Sequence, residues 1–167
     1  MSQAHKLDAR QETAAAALDG PVLIAAGPGS GKTRVLVERI LRLIRERGIP
    51  PERLLAITFT NKAADEIRSR VRRALTSLGL SSRTEPWIGT FHALAHEIVR
   101  EHGARIGIPP DFVLLEVHAA KDRTSRASRQ KIEANNGVLD FDTLLTRALE
   151  LLGAHDDVLA HYRRRFS

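Results

Sequence analysis

An α/β fold, with a parallel sheet flanked by helices, is predicted by three observations on this 167-residue sequence. Short apolar runs at 22–25, 54–59, 87–90 and 112–115 alternate with stretches whose apolar residues recur at helical spacing. Parallel strands need crossovers of this kind, and helices usually supply them. A glycine-rich turn, Ala26-Gly27-Pro28-Gly29-Ser30-Gly31-Lys32-Thr33, joins the first run to the first long helical stretch. The composition, 43% hydrophobic and 28% charged, belongs to a globular chain long enough to bury one sizeable core.

Each element has its own justification. Asp8 and the run after it, with Gln11 three residues on, predict a short capped helix ending at Asp19-Gly20. The first strand is expected at 21–25. The helix after the glycine-rich turn should run to about Gly48, with Leu36, Ile40, Leu43 and Ile44 as its buried stripe, before Pro50-Pro51 breaks it. The second strand, 54–59, is nearly continuous in apolar character, as expected of a strand buried on both faces. Thr60-Asn61 opens another helix with Ala64, Ile67, Val71, Ala74 and Leu78 inward. A third strand at 87–90 precedes a helix burying Phe91, Leu94, Ala95, Ile98 and Val99, and a fourth is expected at 112–115. Residues 117–137 are polar and basic and read as a flexible or loosely helical insert. Two amphipathic helices close the chain, one carrying Phe141, Leu144, Leu145, Ala148, Leu149 and Leu152, the other Val158, Leu159 and Tyr162.

The glycine-rich turn carries the most specific chemistry. Strand, glycine-rich loop and helix, in that order, let successive backbone N–H groups converge on one concavity at the positive end of the helix dipole. A polyphosphate binds there, Lys32 reaching its outer phosphates and the Thr33 hydroxyl ligating Mg²⁺. The first position of the strict pattern holds Ala26 where glycine is usual.

Composition narrows the partners. The absence of cysteine excludes disulfides and thiolate metal sites. No apolar run reaches the roughly 20 residues that span a bilayer, so no membrane association is expected, and the N-terminus lacks a signal-peptide core. A cytoplasmic, nucleoid-associated location is expected. The net charge of +6 suits a polyanion. Two stretches concentrate it: 61–75 and 117–137 each hold five basic residues against two acidic ones. Aromatic residues make up only 4%, which leaves one or two stacking positions for nucleic-acid bases.

Each predicted strand hands over to a polar motif at its C-terminal end, where open α/β sheets gather ligands. After the second comes Phe59-Thr60-Asn61-Lys62-Ala63-Ala64; after the third, Gly89-Thr90-Phe91-His92-Ala93-Leu94-Ala95. Helix-start N–H groups, hydroxyls, an amide, an aromatic face and a cation are the parts for gripping a single-stranded backbone and stacking a base. In this order, and with Leu7-Asp8-Ala9-Arg10-Gln11 ahead of the loop, the sequence resembles the first RecA-like domain of superfamily 1 DNA helicases of the UvrD/Rep/PcrA type. The resemblance implies a P-loop NTPase of RecA-like architecture. Gln11 would read the adenine edge as the Q motif, Ala26, Gly27, Pro28, Gly29, Ser30, Gly31, Lys32 and Thr33 would form motif I, and Arg34 would pack on the adenine ring. Phe59, Thr60, Asn61 and Lys62 in motif Ia, and Thr90, Phe91 and His92 in motif Ib, would line the path of single-stranded DNA. ATP and Mg²⁺ are the implied ligands.

The resemblance also implies an organisation: a RecA-like ATP-binding subdomain at 1–116, a shortened basic insert at 117–137 where the family has a large helical insertion, and closing helices at 138–167 that precede motif II. Motif II, with a Mg²⁺-binding aspartate and a water-activating glutamate, would follow Ser167, and an arginine finger belongs to a second RecA-like domain. The chain is therefore expected to be the N-terminal part of a 3′-to-5′ helicase, incomplete at its C-terminal end, inactive alone and partnered by the C-terminal half. Inside the chain, Glu116 only superficially resembles a catalytic acid, Asp65 and Glu66 are expected to be solvated or paired with Arg68 and Arg70, and His92 and His96 lack a third metal ligand. Two other readings stay open: a stand-alone nucleotide- or DNA-binding module, whose single-strand affinity would depend on Arg68 and Arg72, and a different phosphate-loop enzyme such as a small-molecule kinase.

Overall fold

A computed structural model describes residues 7–27, 29–80, 84–115 and 137–166. Two compact units divide the chain, 1–88 and 89–167, each with its own apolar core.

In the first unit, helix α1 (Ala9–Ala16) begins with a complete capping box: the Asp8 carboxylate accepts the Gln11 N–H at 2.8 Å and the Gln11 side chain accepts the Asp8 N–H at 3.1 Å. Helix α2 (Lys32–Arg47) follows the glycine-rich turn and ends at Gly48. Strand β1 (Leu55–Thr58) leads into α3 (Asn61–Ser77), and β1 is hydrogen-bonded to β2 (Trp87–Thr90), the strand within which the unit boundary falls. Ile40, Leu41, Ala64, Ile67, Val71 and Ile88 form the centre of the core.

Four expectations for this unit need correction. Leu78, expected inward, is the exposed C-cap of α3. Residues 21–27 form no strand; Leu23 is 94% exposed, flanked by the partly exposed Val22 and Ile24. Apolar sequence makes a strand only where a neighbour accepts its hydrogen bonds, and no described residue pairs with this stretch. Strand β1 is not buried on both faces: among the described residues it has one ladder neighbour, and Leu55 is exposed. Of the stripe expected on α2, Ile40 is buried and Leu36 and Ile44 pack partly buried against the core, but Val35, Val37 and Leu41 are buried as well, because α1 and α3 both pack on this helix and widen the covered arc.

In the second unit, α4 (Phe91–His102) packs against α5 (Phe141–Ala154), and α6 (Asp156–Arg165) packs on α5. Strand β3 (Val113–Leu115) pairs in parallel with β4 (Val138–Asp140), Val113 opposite Val138. The core gathers Ile98, Val99, Leu144, Leu151, Val158 and Tyr162. Phe91 and Leu149, expected inward, are exposed, and so in part is Phe141. Both phenylalanines occupy the first position of a helix, where the side chain lies beyond the last covered turn. Of the proposed insert at 117–137, all but Gly137 lies outside the described residues, as does Glu116. The fold is mixed α/β with short sheets, and no helix among the described residues is long and apolar enough to cross a membrane.

Candidate functional site

The glycine-rich turn owes its shape to two residues. Gly29 (φ 75°) and Gly31 (φ 81°) occupy the left-handed region, which costs an L-residue with a side chain roughly 1–2 kcal/mol. Ala26 and Gly27 do not, which explains why alanine is accommodated at the first position. Gly31 is also the N-cap of α2 and brings no side chain to that role. The Arg34 and Val35 amides are taken by the Gly31 carbonyl at 2.9 and 3.1 Å, while those of Lys32 and Thr33 have no acceptor among the described residues. With no acidic residue in the first turn of α2, its positive end is uncompensated.

Gln11 joins α1 to this loop. Its Nε2 donates to the Ser30 carbonyl at 2.9 Å while its Oε1 serves the capping box. Both bonds fix which end of the amide is which and leave one N–H and one lone pair for a ligand. A Cβ on Gly31 would stand 2.7 Å from Gln11 Nε2, so a larger residue there would have to displace the end of the Gln11 side chain in addition to adopting a left-handed angle. Lys32 bends its Nζ back onto the Ala26 and Gly27 carbonyls at 2.8 and 2.6 Å, keeping its third proton unspent. The Ser30 hydroxyl donates to the Gly27 carbonyl at 2.7 Å.

A cavity of about 590 Å³ opens between α1 and the loop, within the size range of small-ligand sites. Gln11, Ala26, Gly27, Gly29, Ser30 and Lys32 line it, six of the ten expected nucleotide-binding residues. Gly31, Thr33 and Arg34 are outside the lining, and Pro28 lies outside the described residues. Thr33 instead faces a second cavity of about 270 Å³ with Lys32 and Thr58. Its hydroxyl, a hard oxygen beside the loop, fits a Mg²⁺ ion that takes its other ligands from phosphate and water. Arg10, which sequence reasoning passed over, lines the main cavity one turn before Ala14.

Arginines on α2 strap α1 in place. Arg39 donates to the Ala14 and Ala17 carbonyls at the open end of α1, Arg42 pairs with Glu12 and Glu38, and Arg47 pairs with Asp19. The Arg42–Glu38 pair is one helical turn apart, but the contacts to α1 and Asp19 span 22 to 30 residues, and nothing in sequence spacing announces them.

The expected DNA-contacting residues divide between the units. In the first, Phe59 is 88% exposed at the end of β1, Asn61 and Lys62 open α3 in solvent, and the Thr60 hydroxyl caps that helix by accepting the Ala63 N–H at 3.2 Å. In the second, Thr90 caps α4 in the same way at 3.2 Å and is buried, Phe91 is exposed, and the His92 ring meets Phe141 edge-on at 5.3 Å. His96 packs on Phe112, so the two histidines serve different aromatic contacts.

The basic face of α3 is largely neutralised. Arg68 holds Asp65 and the Ile88 carbonyl, Arg70 pairs with Glu66, and Arg72 grips Glu85 with two hydrogen bonds of 2.7 and 2.9 Å. The Arg72 guanidinium holds the Glu85 carboxyl below its usual range. Arg68 and Arg72 are thus committed to protein partners, against the expectation for a stand-alone DNA-binding module.

Comparison with known sequences decides the family. The UvrD/REP helicase N-terminal domain matches residues 7–135, more than half of the chain. The chain belongs to the UvrD/REP helicase family. Three UvrD/REP relatives show how far the likeness extends. The ATP-dependent DNA helicase PcrA of Leuconostoc citreum is 43% identical over 117 residues, covering 70% of this chain and 15% of its own length. DNA helicase II of Escherichia coli is 33% identical over 210 positions, covering 96% of this chain and 29% of its own. PcrA of Bacillus subtilis is 32% identical over 206 positions, with 93% and 27% covered. The chain therefore spans less than a third of the length of these relatives. An alignment of 210 positions exceeds 167 residues, so helicase II carries residues within the matched span that this chain lacks.

Proposed function

We propose that this chain is the ATP-binding part of an ATP-dependent DNA helicase that moves 3′-to-5′ on single-stranded DNA. The cavity joining Gln11 to the glycine-rich loop carries the proposal: a polar amide with one donor and one acceptor to spare stands beside unclaimed helix-start N–H groups and a lysine. Adenine offers an N–H donor and a ring-nitrogen acceptor on one edge, the complement of the Gln11 amide. The triphosphate then follows the loop, its outer oxygens taken by the Lys32 and Thr33 amides and the Lys32 ammonium.

Thr33 would hold the Mg²⁺, which neutralises phosphate charge when bound. Arg34, beside the loop, is assigned to the nucleotide by the family resemblance alone. Phe59 and Phe91 supply exposed rings for base stacking, and Asn61, Lys62 and His92 supply polar contacts to the strand. The Thr60 and Thr90 hydroxyls act indirectly, by fixing the helix starts that present these residues. A RecA-like architecture, and completion of the motor by the C-terminal half of the helicase, belong to the same proposal and draw support from the relatives' greater length.

Equilibrium titration with ATP and Mg²⁺ tests the nucleotide site. The chain should bind ATP, and Lys32→Ala should weaken it by one to two orders of magnitude, the worth of about 1.5–3 kcal/mol for hydrogen bonds to a charged group. Equal binding by the two proteins removes the loop from the site.

A further inference from the structure

Helix α1 is attached to the first unit by charge and hydrogen bonds, with little apolar burial behind them. Ala15 is its buried residue, and among the described residues no α1 side chain belongs to the core around α2 and α3. Burying one methyl group stabilises only slightly. The attachments are the Glu12–Arg42 and Asp19–Arg47 ion pairs, the Arg39 guanidinium on the Ala14 and Ala17 carbonyls, and the Gln11–Ser30 bond. The Glu12 and Asp19 side chains are 51% and 84% exposed, so both pairs lie within reach of solvent ions. The tether is weak as well. Residues 17–27 form neither helix nor strand, 21–27 are exposed throughout, and Gly20 turns the chain at a φ of 67°. A helix of eight residues is too short to persist once undocked.

We infer that α1 is a strap that detaches and unfolds separately from the rest of the first unit, with ionic strength setting how often it opens. The opening is a property of the ligand-free protein; only the identity of the ligand beneath the strap rests on the ATP-site reading above. Detachment draws Gln11 away from the Ser30 carbonyl and removes one wall of the 590 Å³ cavity. The glycine-rich loop stays behind, because its shape is set by the torsions of Gly29 and Gly31 and by the start of α2. One half of the cavity therefore persists while the half carrying Gln11 comes and goes, as a local unit of low stability beside a packed core. A ligand touching both halves binds the docked form more tightly and closes the strap.

Amide hydrogen exchange on the full chain, without ligand, reads the opening. Raising sodium chloride from about 0.1 to about 1 M shortens the screening length from about 10 to about 3 Å. The α1 amides from Glu12 onward should then exchange about twofold to thirtyfold faster, the combined worth of two solvent-reaching ion pairs, while the core-facing amides of α3 keep their rates. Glu12→Gln combined with Asp19→Asn removes both negative charges at nearly constant size. In that variant α1 should exchange fast already at low salt and lose its salt response. Salt-independent exchange of α1 in the wild type overturns the inference, as does an undiminished salt response in the double variant or exchange of α1 in step with α3. Saturating ATP with Mg²⁺ should slow α1 exchange in both proteins. If ATP binds and α1 exchange is unchanged, α1 is no cover for the nucleotide and the inference fails there. If titration detects no ATP binding, the ATP-site reading fails and the salt series still decides the strap.

Discussion

Replacing Gly31 by alanine probes how tightly the phosphate loop and α1 are joined. The new methyl group meets two penalties. The φ of 81° places an L-residue in the left-handed region at roughly 1–2 kcal/mol. The added carbon also arrives 2.7 Å from Gln11 Nε2, inside contact distance. Backbone on both sides is fixed by α1 and α2, so the end of the glutamine side chain moves, breaking its 2.9 Å bond to the Ser30 carbonyl at about 1 kcal/mol. Gly31→Ala should thus destabilise the first unit by about 2–3 kcal/mol. In a Gln11→Ala background the second penalty has already been taken, and Gly31→Ala should cost only the backbone part. The double mutant is then about 1 kcal/mol more stable than the sum of the single effects, well beyond the roughly 0.3–0.5 kcal/mol within which independent sites add. Urea unfolding followed by Trp87, the sole tryptophan and part of the strand paired with β1, reads the four proteins. Additive effects would refute the proposed contact between loop and helix.

Three further outcomes follow from the packing and the ion pairs. Arg39→Ala strips the carbonyl cap from the end of α1, and the amides of that helix should exchange with solvent about tenfold or more faster, from a loss of about 1.5–3 kcal/mol; unchanged exchange in α1 removes the strap. Leu144→Ala empties a fully buried site in the second core and should cost about 2–5 kcal/mol in denaturant unfolding, whereas Leu149→Ala, on an exposed position of the same helix, should cost less than about 1 kcal/mol. Burial, with the 2.9 Å bond to Glu101, pushes the Tyr162 phenol well above its ordinary value. The folded state therefore holds this proton more tightly than the unfolded chain. The resulting stabilisation is complete below about pH 10 and declines as pH rises beyond it. Tyr162 is the only tyrosine, so phenolate absorbance during an alkaline titration should rise together with unfolding, and phenolate appearing in the folded protein would contradict the buried hydrogen bond.

What the sequence disclosed was mainly local. The Asp8–Gln11 box, the threonine cap of α3 and the glycines of the loop are short-range devices, decided within about four residues by backbone donors that need acceptors. The stretch at 21–25 looked equally clear and failed, because strand formation is settled by a neighbouring ladder and composition cannot provide one. Strand β4 escaped notice for the complementary reason: three residues carry too little periodicity, and register with Val113–Leu115 makes them a strand. Of the site, the loop and Gln11 were legible. The Arg39 strap and the presence of Arg10 in the cavity were not, since both depend on how α1 lies against α2. Basic charge on α3 was correctly counted and its availability overestimated, because net charge is blind to Glu85 sitting beside Arg72.

Ala26 bears on how such loops are found in genomes. A search string demanding glycine at that position rejects this chain, although the backbone there asks for nothing that alanine lacks. The two angles that do need glycine belong to Gly29 and Gly31, and the second is reinforced by the amide packed against it. A pattern written in torsions would keep those two letters, relax the first and recover members that a literal consensus discards.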